Sequence, residues 1–247
     1  MKIKNILVSQ PKPETEKSPY FDLAKKYNLK VDFRPFIQVE GVPVKEFRQS
    51  KVDIAIHTSI IFNSRTAIDH FFRICEELKI PINDNWKYFC ISESIAFYLQ
   101  KYVVYRKRKI FYGNSTFDDL MTIIQKYPDE KFLVPLSDIH KQEIPSKLTK
   151  ANINFTKAIL YRTVSANLSD VDVLDYDILV FFSPAGVASL KKNFPNFNQE
   201  KTLIAAFGPS TANTVESLNL RLDIKAPVPN APSMTAALEQ YIKANGK

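Results

Sequence analysis

The feature that most constrains this chain is that it repeats itself. Residues 60–68, Ile-Ile-Phe-Asn-Ser-Arg-Thr-Ala-Ile, match 179–187, Leu-Val-Phe-Phe-Ser-Pro-Ala-Gly-Val, with Ser64 falling on Ser183 at an offset of 119. Residues 89–96 match 205–212 with Ser94 on Ser210, an offset of 116, and Ser115…Leu120…Ile124 matches Ser233…Leu238…Ile242 at about 118. A further pair, Ile6-Leu7-Val8 with Phe132-Leu133-Val134, opens a strand–helix–strand piece in each half. The order is therefore piece A, piece B, piece A′, piece B′. At 247 residues the chain is long enough for two cores of ordinary domain size.

Apolar runs of strand length alternate with segments of helical period, which predicts βα units and mostly parallel sheets. The strand candidates are 3–9, 31–39, 59–62, 86–91, 110–112, 131–136, 153–161, 178–182, 202–207 and 222–224. Ser18-Pro19 and Ser183-Pro184 place a capping hydroxyl before a proline at the first helical position, and Ser64, Ser115, Ser210 and Ser233 are read as further helix openers.

Much familiar chemistry is excluded. The five glycines are scattered, so no dinucleotide fingerprint or phosphate-cradling loop can form. His57, His70 and His140 lack metal-ligand spacing, and Cys75 and Cys90 read as buried thiols of a reducing compartment. No metal and no cofactor are expected. The first apolar run, 3–8, reads as a strand rather than a leader, and no run reaches the length of a membrane span, so the expectation is a soluble, cytoplasmic chain with no membrane partner. The formal charge of +8 suits a polyanionic ligand. The basic run Arg106-Lys107-Arg108-Lys109 reads as a solvated approach to a strand and not as a nucleic-acid patch.

What remains is a set of hydroxyls where strands give way to helices: Ser64 and Ser183 in one equivalent position, Ser94 and Ser210 with Thr211 in another. The carboxyl ends of parallel strands are where α/β sheets bind ligands, and helix N-termini there suit carboxylates.

Phe182-Ser183-Pro184-Ala185-Gly186-Val187, then Phe207-Gly208-Pro209-Ser210-Thr211-Ala212 and Ala231-Pro232-Ser233, resemble the C-terminal signature of the uroporphyrinogen-III synthase family. Leu160-Tyr161-Arg162-Thr163 is similar to that family's linker motif, and Ile6-Leu7-Val8-Ser9-Gln10-Pro11 to its first strand and turn. The resemblance implies two flavodoxin-like domains with an open cleft between them, joined by a two-stranded antiparallel ladder, and crossed connectivity that periodicity alone does not select. Residues 1–34 with 165–247 would form one discontinuous domain, 42–155 an inserted one, and 35–41 with 156–164 the ladder.

The implied reaction is cyclisation of hydroxymethylbilane to uroporphyrinogen III, with inversion of ring D and loss of water, without a cofactor, in a monomer. The substrate is a linear tetrapyrrole with eight carboxylates, which would give the basic balance a purpose. A non-catalytic two-lobed module for a tetrapyrrole or another polyanion is the alternative. Carried over by motif, Tyr161 would assist departure of the hydroxyl. Ser64, Arg65, Ser94, Ser183, Pro184, Ala185, Ser210 and Thr211 would line the substrate. The chain departs from the family pattern at Gln10, Asn63, Ser92 and Ile95, so the second copy, with Gly208, Ser210 and Thr211, is expected to carry more of the ligand hydroxyls.

Overall fold

The computed structural model describes residues 3–15 and 17–245. In chain order the elements are β1 (Asn5–Val8), α1 (Pro19–Tyr27), β2 (Lys30–Phe33), β3 (Ile37–Gly41), α2 (Val44–Gln49), β4 (Ser59–Phe62), α3 (Arg65–Glu77), β5 (Lys87–Cys90), α4 (Glu93–Tyr98), β6 (Ile110–Tyr112) and α5 (Phe117–Ile124). They continue with β7 (Phe132–Ser137), α6 (Glu143–Lys150), β8 (Phe155–Ser165), β9 (Ile178–Phe181), α7 (Pro184–Asn193), β10 (Leu203–Phe207), α8 (Pro209–Ser217), β11 (Ile224–Ala226) and α9 (Met234–Asn245).

The chain divides into two compact units, one built from the segment up to Gln38 and the segment from Val164 onward, the other from Val39–Thr163. The first holds a sheet of order β11-β10-β9-β1-β2, the second one of order β3-β8-β7-β4-β5-β6. Every adjacent pair is parallel from β11 to β2 and from β8 to β6. Piece A thus completes the sheet of piece B′, and piece A′ completes that of piece B. At the edge, Ala166 N–H donates to Phe36 O and Val42 N–H to Leu160 O, so β3 runs antiparallel to β8.

Strand alternation sends successive side chains to opposite faces, and each unit fills both faces. In β4, Ile60 and Phe62 join Phe71 and Ala96 of α3 and α4, while Ile61 joins Leu120 and Leu148 of α5 and α6. In β9, Leu179 and Phe181 join Val187 and Val215 of α7 and α8, while Val180 joins Leu23 and Leu238 of α1 and α9. Phe62 and Phe181, equivalent in the repeat, are both fully buried. No helix among the described residues is long and apolar enough to cross a membrane.

Several local readings need correction. The run 31–39 is two strands, because Pro35 has no N–H to give a ladder, and Phe36 turns inward against Phe181 at 5.4 Å between ring centroids. Ser115 does not open α5: it sits at φ 73°, and Thr116 is the cap, accepting from Asp119 N–H at 3.2 Å. Ser210 does not open α8, whose cap position is Gly208; Ser210 and Ser94 both lie inside first helical turns. The last strand of the first sheet is 224–226 rather than 222–224, since the Asp223 carboxylate is used to accept Ile204 N–H.

Candidate active site

In the inserted unit, chemistry gathers where β4, β7 and β8 end. Ser64 is extended at φ −158° and its Oγ accepts Ala67 N–H at 3.1 Å, which starts α3. The same Oγ lies 3.4 Å from Tyr161 Oη. Tyr161 reaches this position through a bulge: Leu136 pairs with Ile159, yet Ser137 pairs with Tyr161, so Leu160 is an extra residue. Strict alternation would send Tyr161 to the side of Ile159. The bulge instead puts it on the α3 side with Leu160, and its side chain is nearly buried.

There the Tyr161 ring stacks on His70 of α3, with centroids 5.2 Å apart and planes 17° from parallel. Arg73, one turn on, fixes that imidazole by donating from Nε to His70 Nδ1 at 3.2 Å. It also donates to Val42 O at 2.9 Å and Leu160 O at 3.3 Å, which ties α3 to the strands that carry Tyr161. Because Nδ1 accepts, the proton of the neutral ring sits on Nε2. Burial first, and the Arg73 charge second, hold His70 below the usual histidine range and keep it neutral.

A cavity of about 530 Å³ opens beside Tyr161, walled by Asn63, Ile91, Phe117, Leu136 and Ile144 and by the 137–141 loop. The preference of parallel sheets for ligands at strand carboxyl ends is met here. Arg65 is not among its walls, and its guanidinium lies 5.3 Å from the Tyr98 ring. Ser94 Oγ pairs with Ser92 Oγ at 3.0 Å.

The discontinuous unit repeats the helix starts without that cluster. Ser183 caps α7, accepting Gly186 N–H at 3.1 Å, with Pro184 and Ala185 filling its first turn. Neither α4 nor α8 has a side-chain cap: the Ser92 hydroxyl takes up no first-turn N–H of α4, and Gly208 has no side chain to offer α8. Ser210 is exposed, whereas Thr211 is only 1% exposed. Thus Ser64 and Tyr161 are brought together in one unit, and Ser183, Pro184, Ala185, Ser210 and Thr211 share the strand ends of the other. Burial pushes the Cys75 and Cys90 thiols up to about 12, which removes them as nucleophiles. Among the described residues no group of histidine, cysteine and carboxylate side chains is disposed to hold a metal.

The uroporphyrinogen-III synthase HemD family model matches residues 19–236. The chain belongs to the uroporphyrinogen-III synthase family. It is 25% identical over 138 residues to the uroporphyrinogen-III synthase of Saccharomyces cerevisiae, a match spanning 50% of this chain and 50% of that relative. The fold is that of uroporphyrinogen-III synthetase from Helicobacter pylori, with a TM-score of 0.58 at 16% identity, covering 98% of this chain and 100% of that one.

The places of His70 and Arg73 beside Tyr161 are not legible in the sequence. An i, i+3 pair on a helix gives no hint that Arg73 will reach two strand carbonyls, and the bulge that turns Tyr161 toward them leaves no mark in composition.

Proposed function

We propose that the protein is a uroporphyrinogen-III synthase that cyclises hydroxymethylbilane to uroporphyrinogen III, inverting ring D and releasing water. The observation that carries this reading is the Tyr161 hydroxyl held beside Ser64, on a residue that lines a cavity of mixed polar and apolar walls, in a chain of this family. In the proposed step the bond from the terminal methylene to its hydroxyl oxygen breaks. Tyr161 donates a hydrogen bond to that oxygen, and the oxygen leaves as water after taking a proton. The nitrogen lone pair of the ring stabilises the resulting azafulvene. The substituted α-carbon of ring D attacks the azafulvene methylene to give a spiro intermediate, and the bond from that carbon to its original bridging methylene then breaks. The azafulvene so released is attacked by the free α-carbon of ring D, which loses its proton to restore aromaticity and close the macrocycle with that ring inverted. The reaction needs no change of oxidation state, so positioning supplies much of the catalysis.

Ser64, Arg65 and Ser94 in one unit, and Ser183, Pro184, Ala185 and Ser210 in the other, are proposed to meet the substrate carboxylates and ring edges. Thr211 joins this set on its place in the family motif, although only 1% of the residue is exposed. The finer architecture belongs to the same proposal: two flavodoxin-like domains, 1–34 with 165–247 and 42–155, joined by an antiparallel ladder of 35–41 and 156–164. It is supported by the order β2-β1-β9-β10-β11, which is the flavodoxin-like 2-1-3-4-5 order, and by the two-unit division of the chain. A cytoplasmic monomer without cofactor is the form in which we expect it to act.

The test is to supply freshly made hydroxymethylbilane and separate the oxidised product isomers. Isomer III is expected. Isomer I alone, the product of spontaneous closure, would sink the enzyme reading and leave a binding module. Within the reading, Tyr161→Phe is expected to lower the isomer III rate about 100-fold, with thermal unfolding unchanged. Unaltered turnover would remove Tyr161 from the step.

A further inference from the structure

Gly41, His70 and Arg73 are not among the cavity walls, yet all three bear on Tyr161. Leu160 O, the carbonyl immediately before Tyr161, accepts from Val42 N–H at 2.9 Å and from Arg73 Nη2 at 3.3 Å. The same Nη2 donates to Val42 O at 2.9 Å, and Arg73 Nε donates to His70 Nδ1 at 3.2 Å. One planar guanidinium therefore holds both the backbone of the β8 bulge and the imidazole that stacks on Tyr161. Its remaining nitrogen, Nη1, donates to Glu77 Oε1 at 2.7 Å, so every nitrogen of the group has a partner.

Gly41, the last residue of β3, supplies the space for that group. A methyl group there would stand 2.7 Å from Arg73 Cζ, Nε and Nη2, well inside van der Waals contact. The Gly41 backbone is not in the left-handed region, so the missing side chain serves the approach of the guanidinium and not a turn. An arginine in a chain of this family could instead pair with a substrate carboxylate. Arg73 is poorly placed for that, with its donors engaged within the unit and none of it in the cavity wall.

We infer that Arg73 is a positioning residue for the water-loss step, with Gly41 as its seat, and that together they fix the bulge and the His70 ring so that the Tyr161 hydroxyl stays beside Ser64. This rests on the proposed role of Tyr161 and adds to it residues that never touch the substrate. A displacement of about 1 Å at a reacting group can cost up to about 100-fold in rate, which gives such a clamp room to matter.

The experiment uses the full chain and freshly made hydroxymethylbilane. It compares Gly41→Ala, Arg73→Ala, the two combined, and each combined with Tyr161→Phe. Gly41→Ala displaces only the end of a flexible side chain, so it is expected to fold with thermal unfolding little changed, and it decides the question even where Arg73→Ala does not fold. Each single change is expected to lower kcat for isomer III about tenfold while KM stays within about twofold. Combining the two, or adding either to Tyr161→Phe, is expected to cost nothing further, because all act through one hydroxyl. With the Tyr161 ring ¹³C-labelled and no substrate present, both single changes are expected to shift its resonances as the stacked His70 ring moves.

Unchanged kcat in Gly41→Ala would overturn the inference. Additive losses, or a full further loss on top of Tyr161→Phe, would do the same, since the residues would then act by separate routes. A raised KM with kcat kept would make Arg73 a substrate ligand instead. Unmoved Tyr161 resonances in both variants overturn this inference alone. Normal turnover by Tyr161→Phe, or formation of isomer I only by the unaltered protein, overturns the reading beneath it, whatever the resonances show.

Discussion

After β5 the backbone enters α4 through Ser92 at φ −148° and ψ 163°, an extended conformation open to any residue. After β10, at the equivalent point, it enters α8 through Gly208 at φ 85° and ψ 152°, a region that is essentially glycine's alone. Both helices nevertheless begin at matching positions, Glu93 and Pro209, and neither has a side-chain cap. Serine in the first copy and glycine in the second therefore go with two different paths of the turn. The copies also differ in what surrounds their strand ends. One gathers Ser64, His70, Arg73 and Tyr161 into a bonded cluster, while the other leaves a capped α7 and an exposed Ser210. Duplication preserved the frame and left each copy free to specialise.

The sharpest test of that shared frame is its core. Phe62→Ala and Phe181→Ala remove equivalent, fully buried rings, and each is expected to cost about 3–5 kcal/mol in urea unfolding. A loss in one copy and none in the other would break the equivalence. Gly208→Ala meets no atom within 4 Å, so its whole cost is backbone conformation, about 1–3 kcal/mol. Ser92→Ala, in the extended counterpart without a cap bond, should stay within about 0.5 kcal/mol. Equal effects would mean that the two turns are not held as described.

The smallest expected effect concerns acid. All three histidines lie in the inserted unit. Burial lowers His57 and His70 in the folded state below the value they take when unfolded. As pH falls through the ordinary histidine range the unfolded chain takes up protons that the folded unit refuses, so stability declines. Hydrogen exchange compared at pH 7.5 and about 5.5 should show lost protection in the inserted unit first. An equal loss in the discontinuous unit would contradict this assignment.

Reading the sequence recovered what local rules write down. The bounds of β4 and the caps at Ser18, Ser64, Ser183 and Ser233 follow from apolar runs and hydroxyl placement. The split at Pro35 was written there too, in a residue that cannot donate, but the apolar run around it masked the break. The site was less accessible. Tyr161 was reached through resemblance, and its neighbours depend on long-range pairing: one extra residue in β8, and an arginine spanning from α3 to Leu160 and Val42. Such contacts are set by tertiary register, which no local window contains. Ser115 and Ser210 do not open helices because Thr116, next to the one, and Gly208, two residues before the other, take the cap positions.

The central place of β1 has a consequence for biosynthesis. It lies between β2 and β9, and β9 begins only at Ile178. A ribosome delivers β1 and then its neighbour β2, yet its other neighbour, β9, is made some 170 residues after β1, beyond the whole inserted unit. The inserted unit can therefore complete itself while the chain is still growing, before the discontinuous unit has its last strands. Nascent β1, apolar and awaiting its neighbour, is the segment that a cell must keep from pairing elsewhere during that interval.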